Sequence, residues 1–139
     1  MNVPARGGVK RASNESRGAI VGEIRVPCPP KPALRDRPLL PPARAAGLSG
    51  LFKTLANDTR LRLLHALVRA EEMCVTDLAN AVGMKPQAVS NQLQRLAARG
   101  ILGSRRNGNE ILYRVVDPCV PALLDQGLCL AEDAEERKP

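Results

Sequence analysis

The sequence predicts a mainly α-helical domain that carries one two-stranded hairpin. Three observations predict it. Apolar residues recur at helical spacing through most of residues 48–131. The chain has one Phe, one Tyr and no Trp, so its core must be aliphatic, mostly Leu, Ala and Val, which favours helices. After Gly100 the period changes to that of strands, and Asn107-Gly108 interrupts the run as a hairpin signal. A length of 139 residues suits one domain with a modest core.

Residues 1–47 hold eight of the twelve prolines and five of the eleven glycines, with no usable period. They are expected to form a disordered basic arm, with Pro38, Pro41 and Pro42 opposing a helix. Cys28 falls in this arm as a bystander. Order is expected from Leu48, with Leu51, Phe52 and Leu55 on a short first helix. Asp58 is then expected to cap a second helix, with Leu61, Leu64, Leu67 and Val68 inward and Arg60, Arg62 and Arg69 outward. His65, the one histidine, reads as a partly buried packing residue.

The stretch from Thr76 to Arg99 reads as two helices joined by a tight turn. Thr76 is the expected first cap, and Leu78, Ala79 and Val82 form the apolar face. Gly83 stands where a helix stops and the backbone needs positive φ. Pro86 suits the first turn of the next helix, where its missing N–H costs nothing. Val89, Leu93, Leu96 and Ala97 make one apolar stripe, and Gln87, Ser90, Asn91, Gln94 and Arg95 occupy the other face. Short, hydrogen-bonding side chains of this kind are what a helix needs to read base edges in a major groove.

Residues 101–106 and 110–116 are the two expected strands of the hairpin. Its Arg105, Arg106 and Arg114 suit phosphates or an adjacent minor groove. A basic hairpin directly after a recognition helix is a wing, so the fold expected is a winged helix-turn-helix. Asp117 and Pro118 open a last helix, on which Val120, Leu123, Leu124 and Leu128 form an apolar stripe. That stripe is left over after a complete small domain, and its expected use is a dimer interface shared with the first helix. Residues 132–139 are acidic and expected to fray.

Charge supports a polyanionic partner. The net charge is +7, with nine basic and three acidic residues in 1–47, ten and five in 48–116, and two and six in 117–139. No membrane span or secretory leader is legible, which gives a cytoplasmic expectation. The four cysteines are then expected as reduced thiols.

The run from Leu51 to Val115 resembles the ArsR/SmtB family of metal-responsive repressors. The resemblance rests on Leu55-Ala56-Asn57-Asp58-Thr59-Arg60, on Cys74-Val75-Thr76-Asp77-Leu78-Ala79, on Ser90-Asn91-Gln92-Leu93 and on Arg106-Asn107-Gly108. It covers roughly residues 48–131. It implies a winged-helix homodimer on an inverted-repeat operator, released when an ion or other inducer binds, and not an enzyme. Many arsenite- and cadmium-type members carry Cys-Val-Cys-Asp where this chain has Cys74-Val75-Thr76-Asp77, so the dithiol is absent. In the family's last-helix zinc and cobalt sites, Asp117 remains, Cys119 falls on the first His position and Cys129 next to the second. One histidine in the chain argues against a zinc site of that type. The segment from Asp117 to Asp133 looks most like members encoded with mercury- or arsenic-resistance genes.

Cys74, Cys119 and Cys129 are the candidate inducer ligands. Thiolate-only coordination selects Hg(II), As(III), Cd(II) or Pb(II) over hard ions. Cys119 and Cys129 lie ten residues apart, about 80° around an ideal helix and roughly 15 Å along it. A shared ion therefore needs the partner chain, the Cys74 loop or a break near Gly127. A redox switch at Cys119 or Cys129 is the alternative. A thiol enzyme would want a CxxC pair, a second histidine or a Gly-rich phosphate loop, none of which is present. A metal buffer would have no use for the base-reading face.

Overall fold

The computed structural model describes residues 30–138, and upstream of them the backbone of two short strands, β1 (Ala19–Val21) and β2 (Ile24–Val26). Cys28 lies outside the described residues. The chain divides into two units. One runs from Pro30 to Val115. The other holds β1, β2 and the segment from Val116 onward. The boundary between the two units, at Val115–Val116, falls inside the expected 48–131 domain.

In the first unit a 3-10 turn (Leu34–Asp36) precedes α1 (Pro42–Leu55) and α2 (Asp58–Ala70). Next come β3 (Met73–Cys74), α3 (Val75–Val82), α4 (Pro86–Ala98), β4 (Leu102–Asn107) and β5 (Glu110–Val115). Helix α1 starts six residues before the expected Leu48, against the expectation of disorder there. Pro41 is its N-cap and Pro42 its first residue. Proline at that position already has the φ a helix needs and gives up no internal hydrogen bond, so these prolines start the helix instead of forbidding it.

Other boundaries also move. Asn57, not Asp58, caps α2: its side chain accepts the Arg60 N–H at 3.0 Å. The cap of α3 is Cys74 and not Thr76. The core of this unit is built from Leu55, Leu63, Leu64, Leu67, Leu78, Ala79, Val82, Val89, Leu93, Leu96, Ile101 and Leu102. Leu63 takes the inward place expected of Leu61 and Val68, which are partly exposed. His65 is exposed and does not pack.

The hairpin becomes a three-stranded antiparallel sheet of order β3-β5-β4, because β3 adds to it through Met73↔Tyr113 and Cys74↔Leu112. Asn107 pairs with Glu110, so β4 runs one residue past the expected 106 and the turn narrows from Asn107-Gly108-Asn109 to Gly108-Asn109. Gly108 has φ 67°, and a two-residue hairpin loop wants glycine at such a position.

In the second unit, β1 pairs antiparallel with β2, from Ala19↔Val26 to Val21↔Ile24. Both strands lie within the arm expected to be disordered. Helix α5 (Cys119–Glu136) runs on through the tail expected to fray. Ala131, Ala134 and the glutamates are good helix formers, and Arg137 and Lys138 suit the negative end of the helix. Val120 is buried, Leu123 and Leu124 are half-buried, and Leu128 and Leu130 are exposed. Among the described residues no helix is long and apolar enough to cross a membrane.

Candidate nucleic-acid interface and cysteine sites

Helix α3, the turn at Gly83 and helix α4 make the helix-turn-helix. Gly83 adopts φ 71°, ψ 38°, the left-handed conformation that ends α3 and turns the chain. Val89, Leu93 and Leu96 are sunk in the core, which fixes the rotation of α4 about its axis. That rotation exposes Gln87, Asn91, Gln94 and Arg95 together, with Ser90 half-buried beside them. The Gln87 amide donates to Asn91 Oδ1 at 3.1 Å, and the Gln94 amide donates to Ser90 Oγ at 3.3 Å. Each pair spans one turn of the helix and ties neighbouring side chains on its exposed face. Asn91, Gln94 and Arg95 also line an open hollow with Ala98.

Two further residues support α4, and periodicity alone did not single them out. Arg60 Nε donates to Gln92 Oε1 at 2.7 Å, and its Nη1 donates to the Thr54 carbonyl at 2.9 Å. Arg60 therefore does not face outward as expected. It ties the end of α1 and the start of α2 to the recognition helix. A signal was available: Gln92 lies three residues after Val89 and four before Leu96. That spacing sets an amide beside the apolar stripe, where it needs a partner.

The wing presents Arg105, Arg106 and Arg114 as exposed side chains. Pairing sets Gly103 opposite Arg114, Arg105 opposite Leu112 and Arg106 opposite Ile111. Arg105 and Arg114 thus share one sheet face and Arg106 the other. Arg105 is not free for phosphate in this state. Its Nε and Nη2 each donate to Glu72, at 2.7 Å. The Arg105 hydrogen bond, with the nearby charges of Arg105 and Arg114, holds the Glu72 carboxyl below its ordinary pKa against a smaller opposing effect of burial.

The three candidate thiols differ. Cys74 is buried and free. The backbone N–H of Asp77 favours its thiolate, but burial and the carboxylates of Asp77 and Glu110 outweigh this, and the thiol pKa is raised. Cys129 is exposed and free. Cys119 corrects the expectation of a reduced thiol: it is disulfide-bonded, and its N–H is accepted by Asp117 Oδ1 at 2.8 Å. Helix α5 passes through Gly127 without a break, which removes one of the three ways Cys119 and Cys129 could share an ion. Within each unit, no group of three His, Cys, Asp or Glu among the described residues is assembled as a ligand set.

Comparison with known proteins agrees with this architecture. Residues 55–105 match the model of a helix-turn-helix domain family. The HTH-type transcriptional regulator NmtR of Mycobacterium tuberculosis is 38% identical over 100 residues, covering 70% of this chain and 82% of that one. The crystal structure of the AntR antimony-specific transcriptional repressor is 64% identical. It superposes with a TM-score of 0.67 over 79% of this chain and 99% of its own. The solution structure of a homodimeric winged helix-turn-helix DNA-binding domain from Mycobacterium bovis is 30% identical, with a TM-score of 0.60 over 73% of this chain and 96% of its own. The chain belongs to the ArsR/SmtB family of winged-helix transcriptional repressors, DNA-binding regulators and not enzymes.

Proposed function

We propose that this protein is a homodimeric repressor that leaves its operator when its cysteines capture a soft trivalent metalloid, antimony or arsenic. The observation that carries the choice of ion is the 64% identity to an antimony-specific repressor over 99% of that protein. The donor chemistry agrees, since thiolates prefer soft ions. Hg(II), Cd(II) and Pb(II) share that preference and serve as competitors in the test.

Gln87, Ser90, Asn91, Gln94 and Arg95 read the operator, and Arg106 and Arg114, joined by Arg105, hold phosphates. Exposed Leu48 and Phe52 on α1, and Leu128 and Leu130 on α5, give each helix apolar surface for a second copy. Cys129 and Cys74 supply thiols as they stand, and Cys119 joins them once its disulfide is reduced. Two recognition helices must sit about one DNA turn apart to occupy both half-sites. A link between the cysteines of the terminal helix and Cys74, at the leading edge of the helix-turn-helix, fixes a spacing that no longer matches.

The test is operator release, followed by fluorescence anisotropy under reducing, anaerobic conditions, for the wild type and for C74S, C119S and C129S. Release at lower Sb(III) or As(III) concentration than Hg(II), Cd(II) or Pb(II), and loss of response in at least one variant, are expected. Unchanged response in all three removes the site. The disulfide at Cys119 favours a second reading, in which oxidation is the signal. In that case oxidant releases DNA without any ion, and C119S abolishes the effect.

A further inference from the structure

The Glu72 carboxylate lies between the body of the domain and its wing. Glu72 precedes β3, one step beyond the Met73↔Tyr113 pair, which sets it level with Arg114 on the central strand. It reaches over that strand to Arg105 on β4, the far edge of the sheet. Gly103, which stands opposite Arg114, leaves that corner of the face without a side chain. The result is a two-pronged ion pair, Nε and Nη2 on the two carboxylate oxygens. The Arg105 side chain keeps 54% of its exposure and Glu72 28%, so the pair is open to solvent and to a competing anion.

A guanidinium fork matches a phosphate as well as it matches a carboxylate. An exposed pair of this kind contributes little to folding. Its larger effect is on what the fork can bind next. Glu110, opposite Asn107, lies on the same face, so Arg105, Arg114, Glu72 and Glu110 sum to about zero net charge there, in place of about one positive charge without Glu72.

We propose that Glu72 is an internal phosphate mimic: it occupies Arg105 in the free protein, must yield to a DNA phosphate, and so sets the affinity for duplex of any sequence. The inference rests on the wing of this chain contacting DNA, as proposed above. Displacement leaves the carboxylate to water and gives Arg105 the phosphate, so each binding event exchanges one ion pair for another. The base-reading face of α4 takes no part in that exchange, and the effect is the same on operator and random sequence.

The test is the dependence of affinity on salt, for operator and for random duplex, with wild type, Glu72→Gln, Glu72→Asp and Glu72→Gln combined with Arg105→Gln. Because Glu72→Gln leaves no carboxylate to take up a counterion when Arg105 moves to the phosphate, it should steepen the slope of log affinity against log salt, by at most about 0.9, the value for one phosphate contact. At moderate salt both duplexes should be held about threefold to tenfold tighter by Glu72→Gln. Glu72→Asp keeps the charge but shortens the reach, and should give most of the same gain. In the Arg105→Gln background less than half of the gain should survive. A gain that persists in full without Arg105, or is absent from Glu72→Asp, means that Glu72 acts only through its charge and overturns the clasp. Unchanged or weaker binding by Glu72→Gln overturns it too. If the wild type binds neither duplex, the DNA reading fails first and this inference with it. If it binds both but the variants match it, only this inference fails.

Discussion

Replacing Arg60 by Met keeps the aliphatic stem and removes the guanidinium. Two hydrogen bonds are lost, to Gln92 Oε1 at 2.7 Å and to the Thr54 carbonyl at 2.9 Å. A hydrogen bond from a charged donor contributes about 1.5–3 kcal/mol when well buried. Both bonds are only part-buried, and water can reach the acceptors that are left. About 1 kcal/mol each is therefore the fair figure, about 2 kcal/mol in all. Urea denaturation followed by circular dichroism, at one fixed protein concentration, is the assay. With a slope of ~2 kcal/mol per molar urea, the midpoint should fall by about 1 M. Gln92→Leu alone should cost about 1 kcal/mol, and adding it to Arg60→Met should cost little more, a coupling of about 1 kcal/mol. A loss below about 0.5 kcal/mol for Arg60→Met, or strict additivity of the two changes, would refute the argument that this side chain braces the recognition helix.

Three other outcomes follow from the same structure. Gln87→Ala or Asn91→Ala should cost about 1–3 kcal/mol on the operator and much less on random duplex, measured by anisotropy; equal losses on both would argue against base readout. Gly83→Ala puts a Cβ on a residue at φ 71° and should lower stability by about 1 kcal/mol in thermal or urea unfolding, with no loss expected only if the turn can relax. The raised pKa of Cys74 makes its thiol slow to alkylate at neutral pH. In a protein whose other cysteines are Ser, labelling by iodoacetamide should accelerate only above pH 9, the ordinary thiol value being 9.0. Because the folded value lies above the unfolded one, this group's contribution to stability is present below pH 9 and is lost as pH rises through the folded pKa. Half-maximal labelling below pH 8 would contradict the burial and carboxylate effects assigned to it.

The helix-turn-helix and wing were legible in the sequence because they depend on local rules. Val89, Leu93 and Leu96 repeat at helical spacing, Gly83 marks a left-handed stop, and Asn107-Gly108 falls within one residue of the true turn. What was not legible depends on position within an element or on distance in the fold. Pro41 and Pro42 argue against a helix unless they fall on its first residues, and periodicity does not say which case holds. The tail after Glu132 looked too acidic to be ordered, yet its alanines and glutamates extend α5. Gln92, which Arg60 braces, and Glu72, which holds Arg105, lie 32 and 33 residues away, beyond the range of any pattern. The addition of β3 to the hairpin is of the same kind, since a two-residue strand has no period to detect. The cysteines were the hardest. Composition counts them, but whether a thiol is buried, exposed or already bonded is decided by tertiary structure.

The sheet order β3-β5-β4 also has an optical consequence. The chain has one tyrosine and no tryptophan. That tyrosine, Tyr113, is on the central strand, opposite Met73 on one side and Ser104 on the other. Near-ultraviolet emission from the unlabelled protein therefore comes almost entirely from a single phenol, and that phenol is embedded in the wing. The molecule carries its own reporter at the place where it is expected to meet DNA, and the docking or release of the wing can be watched without attaching a dye.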